Sequence, residues 1–139
     1  MSQAPEAKEE RTVGEIMSSP VTTASAAETV AVAAARMREL KVGSVVVVDG
    51  DGRATGILTE RDMLRVAAAG SDASTAKVSE WMTSEPYTVA PGVSAREAFA
   101  TLAEHGYRHI PVVDAGKLVG IVSMRDLMRI AMIQPVGAL

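Results

Sequence analysis

The sequence predicts a mixed α/β fold built from two copies of one β-α-β-β-α unit, packed with pseudo-twofold symmetry. Three observations lead to it: an internal repeat, a helical spacing of apolar residues in each copy, and a buried hairpin pattern in each copy. The chain has 139 residues, of which 47% are hydrophobic and 22% charged, so it can bury a real core. Since a half of roughly 55 residues is too small to be comfortable alone, the copies are expected to share that core.

The repeat is carried by three strings that recur in order at a shift of 64 or 65 positions. Residues 13–17 return as 78–82, residues 45–49 as 110–114, and residues 56–62 as 120–126. The chain therefore divides into a flexible N-terminal arm, repeat 1, a small polar linker, repeat 2 and a C-terminal tail. These span residues 1–11, 12–68, 69–76, 77–131 and 132–139.

Each copy predicts the same elements in the same order. Apolar residues at helical spacing predict first helices over Thr29 to Leu40 and Ser94 to Glu104, capped by Thr29 and by Ser94 with Glu97. Buried hairpins then follow, with strands Val45 to Val48 and Ala54 to Leu58 in the first copy. Second helices close the copies over Glu60 to Ala68 and Met124 to Met132.

Composition excludes several classes of function. With no cysteine there is no disulfide framework, thiol catalysis or cysteine zinc site. An aromatic content of 3% and a pI near 5.4 disfavour nucleic acid as a partner. The polar start is no secretory signal, and the apolar runs are too short for a bilayer, so we expect an intracellular, cytoplasmic protein without membrane contact.

The repeat resembles a tandem pair of CBS domains, the arrangement called a Bateman module, over about residues 12 to 131. The resemblance is carried by Ile16-Met17 and Trp81-Met82, by the glycine-to-aspartate strings that end at Asp62 and Asp126, and by residues 108–114. It implies a non-catalytic regulatory module whose clefts between the repeats bind AMP, ADP or ATP, ahead of S-adenosylmethionine. It also implies a homodimer and an effector protein that responds to occupancy.

The residues supply a chemistry for such a ligand. Thr59 and Ser123 each close a strand and open a helix, where hydroxyls and free backbone N–H groups suit an anion. Asp62 and Asp126, one turn later, can accept hydrogen bonds from a ribose diol, which is the role that the family gives the matching aspartate. The same Thr/Ser-x-x-Asp spacing is also an ordinary helix-capping pattern, so both roles stay open.

Other candidates border the same clefts. Arg108 and His109 precede a buried strand and have Gly43 and Ser44 as counterparts in repeat 1. Arg108 is either a cation for phosphate, which repeat 2 alone would supply there, or a solvated surface charge. The resemblance implies that the leading segments line the adenine pocket, and that the proline sits at the cleft mouth. The predicted ligand-binding residues are Thr22, Thr23, Ser44, Thr59, Asp62, Thr88, Arg108, His109, Pro111, Ser123, Arg125 and Asp126.

Two alternatives remain beside the sensor hypothesis. The first is a ligand-independent interaction scaffold with the same fold, and the second, with less support, is an enzyme. No Ser-His-Asp arrangement, paired carboxylates, P-loop or dinucleotide glycine pattern can be assembled, so no catalytic residue is predicted. His105 and His109 are four apart, but Gly106 between them ends the helix, so no metal site or other cofactor is predicted.

Overall fold

The computed structural model describes residues 11–133, with side chains described up to residue 130. The predicted N-terminal arm and C-terminal tail therefore fall almost wholly outside the described residues. The elements, in chain order, are α1 (Val13–Ile16), β1 (Thr23–Ala24), α2 (Val30–Leu40), β2 (Ser44–Val48), β3 (Ala54–Thr59), α3 (Glu60–Ala68), α4 (Val78–Trp81), β4 (Thr83–Ser84), α5 (Ala95–His105), β5 (His109–Asp114), β6 (Lys117–Ser123) and α6 (Met124–Ile133).

The chain divides into two compact units that cut across the sequence repeats. The repeat-1 unit holds residues 20–86 and 115–118, and the repeat-2 unit holds residues 11–19, 87–114 and 119–133. The segment that precedes each repeat's own β-α-β-β-α run thus belongs to the unit of the other repeat. The boundaries of the sequence repeats and of the structural units therefore differ, because each unit contains the leading segment of the other repeat.

The repeat-1 unit is built on a four-stranded sheet in the order β1-β2-β3-β4. β1 runs parallel to β2, and the β2–β3 and β3–β4 pairs are antiparallel. Its core is aliphatic, with Val45, Val47, Leu58 and Val78 fully buried. Thr29 caps α2 through its hydroxyl, which accepts from the Val32 amide at 3.2 Å.

The repeat-2 unit reproduces these pairings with fewer ladder residues. Val89 bridges Val112 in parallel, as Ala24 does Val47, and Ser18 bridges Ile121 antiparallel, as Thr83 does Ile57. Its core includes fully buried Val13, Leu102, Ile110 and Val122. The Ser94 hydroxyl caps α5 by accepting from the Glu97 amide at 3.0 Å, and Gly106, with φ of 71°, ends the helix. The duplicated pairing confirms the βαββα repeat.

The linker is hydrogen-bonded to the repeat-1 unit and packs against it. The Ala76 carbonyl accepts from the Val30 amide at 2.8 Å, and the Ala73 carbonyl accepts from the Ala31 amide at 2.9 Å. Ala76 is buried against Val30 and Val66. The small residues that marked this stretch as a linker therefore also pack beneath the start of α2. The short elements α1, α4 and β4 were not predicted, because elements of two to four residues carry almost no periodicity.

Candidate ligand-binding site

The predicted Thr/Ser-x-x-Asp segments lie at the junctions of β3 with α3 and of β6 with α6. The first amide of each helix already has an acceptor: Glu60 N–H donates to the Gly43 carbonyl at 3.1 Å, and Met124 N–H donates to the Arg108 carbonyl at 2.8 Å. These two amides are not free for an anion, contrary to the sequence-based expectation, because the loops before β2 and β5 supply their acceptors. The hydroxyls and the carboxylates carry the chemistry that remains.

Asp62 is committed to its own helix. It is 6% exposed, and its Oδ2 accepts from the Thr59 amide at 2.8 Å and from the Thr59 hydroxyl at 3.2 Å. Its Oδ1 accepts from Arg65 Nη1 at 2.8 Å. The capping role of this aspartate, one of the two that the spacing allows, is therefore present in the structure. Ser44, which is buried, lies opposite Thr59 on the neighbouring strand.

Asp126 has a more open setting. Its side chain is 30% exposed, and Arg129 Nη2 lies 3.6 Å from Oδ1, beyond the usual length of a charge-assisted hydrogen bond. Its backbone amide donates to the Ser123 hydroxyl at 3.0 Å, so Ser123 caps α6. The two junctions have the same fold but present their carboxylates differently.

The other predicted residues of repeat 2 lie near the start of β5. Arg108 is exposed, and its carbonyl holds the first amide of α6, so its backbone lies beside the Ser123 junction. His109, half-buried, is the first residue of β5. Pro111 is buried, and its carbonyl accepts from Val89 N–H at 3.1 Å, where the parallel bridge begins. The backbone N–H that proline lacks therefore falls at the end of this strand pairing. Thr88 and Arg125 are exposed.

Thr22 and Thr23 line an open groove in the repeat-1 unit. The groove has a volume of about 1050 Å³ and follows the free side of β1, with Glu28, Arg36 and Val42 among its lining residues. Arg36 forms a two-pronged ion pair with Glu28 at 2.8 and 3.0 Å and also donates to the Thr23 carbonyl at 2.8 Å. A guanidinium thus fixes one wall of the groove.

The Glu28–Arg36 ion pair makes the free energy of unfolding depend on pH in the acidic range. The hydrogen bond from Arg36 holds the pKa of the Glu28 carboxyl below its ordinary value of 4.5. As the pH falls, the Glu28 carboxylate is protonated in the unfolded chain before it is protonated in the folded protein. The contribution of the ion pair to the free energy of unfolding is therefore present above pH 4.5 and is lost as the pH falls through the lowered pKa. We expect Glu28→Gln to lower the free energy of unfolding by about 1 kcal/mol near neutral pH and by much less near about pH 3.

Urea denaturation at several pH values measures this difference. Arg36→Gln should lose at least as much, because it also removes the hydrogen bond to the Thr23 carbonyl, and should likewise flatten the acid slope. Arg38→Gln, an exposed change on the same helix, should leave the acid slope of the parent protein unchanged. A Glu28→Gln penalty that stays constant down to about pH 3 would show that packing, and not the ion pair, is responsible.

Sequence reasoning missed the arginines that engage the predicted groups. Arg65 follows Asp62 by three positions on one helix, a spacing at which opposite charges meet, so the pair was detectable in principle. The Arg36–Glu28 pair joins α2 to the loop before it and has no such signature. Also unforeseen was the surface cluster of Tyr87, His105 and Tyr107, with ring centroids 4.4 to 6.3 Å apart.

Comparison with known proteins identifies the repeat. The family model for the CBS domain matches the chain twice, over residues 13–69 and 78–133. The chain belongs to the CBS-domain family. The two matches confirm the tandem arrangement and fold class expected from the sequence, and CBS-domain proteins are typically regulatory. Tandem CBS domains generally bind adenosine-containing ligands.

Relatives and solved CBS structures agree with the fold. Hypoxic response protein 1 of Mycobacterium tuberculosis is 36% identical over 119 residues, which is 85% of this chain and 83% of that protein. A putative signal-transduction protein with CBS domains from Burkholderia ambifaria superposes with a TM-score of 0.82 at 34% identity, covering 89% of this chain and 96% of that one. The CBS pair of protein MJ0100, solved with 5-methylthioadenosine and S-adenosyl-L-methionine, has a TM-score of 0.83 at 24% identity, covering 90% and 98%.

Some relatives are longer than the CBS pair. Matches to proteins of Acidianus ambivalens and Methanopyrus kandleri, at 40% and 36% identity, cover 73% and 85% of this chain but 61% of each relative. The structure of Hypoxic Response Protein I holds two coordinated zinc ions. Within residues 11–133 of this chain, the acidic and histidine side chains form no group of three or more that could hold a metal. In that same range no helix combines the length and hydrophobicity needed to cross a bilayer.

Proposed function

We propose that this CBS pair is a non-catalytic regulatory module that binds an adenosine nucleotide, senses energy state and modulates a partner. The observation that carries the proposal is the open carboxylate of Asp126 at the junction of β6 and α6. A carboxylate has about four lone-pair positions, so it can accept hydrogen bonds from both hydroxyls of a ribose. The Ser123 hydroxyl caps the helix beside it and keeps the junction in place.

The residues around the same junction support a phosphate contact. The Arg108 carbonyl is bonded to the first amide of α6, and its side chain is exposed. A guanidinium fork suits phosphate oxygens, and the aligned position in repeat 1 is Gly43, so only repeat 2 has this cation. This supports AMP, ADP or ATP as the ligand class. The MJ0100 complex supports an adenosine moiety in general and keeps S-adenosylmethionine in the test.

Occupancy would reach a partner through the second helices. Leu64 on α3 and Met128 on α6 occupy corresponding positions in the two repeats, and they are 70% and 48% exposed. Exposed apolar side chains on these helices are available for contact with a protein partner. We propose a second copy of the chain, and an effector protein beyond it, as the surfaces that respond.

The test is ligand-induced stabilisation. AMP, ADP, ATP and S-adenosylmethionine are added in turn, with GMP as a base control. A ligand that binds only the folded state at a hundredfold excess over its Kd adds about 2.7 kcal/mol, which raises Tm by several degrees. We expect one adenosine ligand to do so, and Asp126→Asn to weaken its binding at least tenfold, since the charge that accepts the ribose hydroxyls is removed, about 1.4 kcal/mol or more.

Asp114→Asn is the matched control, because it removes an exposed carboxylate of the same unit at the end of β5. It should bind like the parent protein. No stabilisation by any of the ligands would contradict the sensor and favour the ligand-independent scaffold. Turnover of the added nucleotide would favour the enzyme.

A further inference from the structure

Asp62 and Asp126, which occupy matching positions in the two repeats, differ in how many of their hydrogen-bond acceptor positions are already used. Three donors occupy Asp62: the amide and the hydroxyl of Thr59, and Arg65 Nη1 at 2.8 Å. The side chain of Asp62 is 9% exposed. Because a carboxylate offers about four acceptor positions, Asp62 cannot take two further hydroxyl donors unless a present donor leaves.

Arg65 is the donor that can leave, and a second contact holds it in place. Its guanidinium carbon lies 5.3 Å from the centre of the Trp81 ring, and Nη1 also reaches the Trp81 carbonyl at 3.3 Å. A guanidinium over an indole face is an attractive cation–π arrangement. Arg65 is 55% exposed, so it can swing out to solvent without breaking the core.

Within the residues whose side chains the structure describes, repeat 2 lacks this arginine–tryptophan arrangement although it has the same charges. Arg129 is the counterpart of Arg65, yet it lies 3.6 Å from Asp126 and is 61% exposed. The position aligned with Trp81 is Ile16, which has no π face. An arginine without an aromatic partner is held only by a surface ion pair, which contributes little.

We propose that Arg65 is an internal competitor for the ligand at Asp62, so that the Asp126 junction fills first and the Asp62 junction fills at higher concentration. This inference rests on the proposed function and adds an order of occupancy to it. Filling of the second junction displaces Arg65 from Trp81, the only tryptophan of the chain. Indole emission therefore reports the second event and is silent for the first.

The experiment titrates the full chain with adenosine, followed by calorimetry and by tryptophan emission. Adenosine is uncharged, so the loss of an arginine does not alter binding through phosphate attraction. We expect heat of binding at low concentration without a change in emission, and an emission change only at higher concentration. By calorimetry, Arg65→Gln should lower the concentration of the weaker event at least fivefold, and its emission change should be lost because no guanidinium leaves Trp81. The matched Arg129→Gln should change neither event by more than about twofold. The Tm of each variant establishes that it is folded.

Two results would overturn the role of Arg65 while leaving the proposed function intact. One is equal affinity of both junctions in the parent protein, and the other is an Arg65→Gln variant whose weaker event is unchanged or weakened further. Absence of adenosine binding in the parent and in both variants overturns this inference alone. The proposed function fails only if AMP, ADP, ATP and S-adenosylmethionine also give no stabilisation.

Discussion

Gly120→Ala is expected to lower the free energy of unfolding by about 2–3 kcal/mol, because β6 passes directly beneath Met17. A Cβ on Gly120 would overlap the sulfur of Met17 and would come within 3.0 Å of the Met17 Cβ. The Cβ of Met17 is attached to its backbone, so rotation of the side chain alone cannot relieve the overlap. The backbone at Met17 would have to shift by a few tenths of an ångström relative to β6.

The corresponding glycine of repeat 1 provides a graded comparison. A Cβ on Gly56 would meet Met82 at its sulfur and at Cγ and Cε, 3.1 Å away, which are mobile parts of that side chain. Gly56→Ala should therefore cost less, about 1–2 kcal/mol. Gly92→Ala is the control, because nothing lies within 4 Å of an added Cβ there, and it should stay within about 0.5 kcal/mol.

Chemical denaturation measures all three variants, and Met17→Ala combined with Gly120→Ala tests the contact itself. The double variant should cost less than the sum of the two single changes, because removal of the methionine relieves the overlap. Additive costs would mean that the penalty of Gly120→Ala arises elsewhere than at Met17.

Asp62→Ala is expected to cost about 2 kcal/mol of stability, while Asp126→Ala costs less than about 1 kcal/mol. The first change leaves the Thr59 amide at the start of α3 without its acceptor and removes the partner of Arg65. The second removes only a 3.6 Å contact with an exposed arginine. Urea denaturation at neutral pH without ligand gives both values.

This pair of variants separates capping from binding. If the Asp126 change proves as costly as the Asp62 change, the two carboxylates are equally committed to their helices, and the basis for unequal junctions is lost. Asp62→Asn, which keeps an acceptor for the Thr59 amide, should recover part of the loss.

Much of the local structure could be predicted from sequence because its causes are local. The apolar spacing and the caps at Thr29 and Ser94 place α2 and α5 within about a residue of their observed bounds. Gly106 stops α5 in the left-handed conformation that glycine adopts without penalty. The span of α3 agrees with its predicted range.

The sequence predicted where the site residues lie relative to the strands and helices. It did not predict which side chains donate to their carboxylates. Thr59 and Asp62 lie at a strand-to-helix junction as expected from their spacing. The Arg65 guanidinium that donates to Asp62 also lies over the ring of Trp81, which is distant in sequence from Asp62. No periodicity records such a contact.

The sequence by itself determined the duplication, the order of helices and strands, and the residue types at each junction. Tertiary structure alone decided that residues 11–19 pack with residues 87–114 and 119–133, and that one aspartate is occupied while its counterpart is open. The physical reason is that backbone preference and apolar spacing act over a few residues. The choice of packing partner depends on which apolar surfaces fit, as Met17 fits over the bare backbone of Gly120.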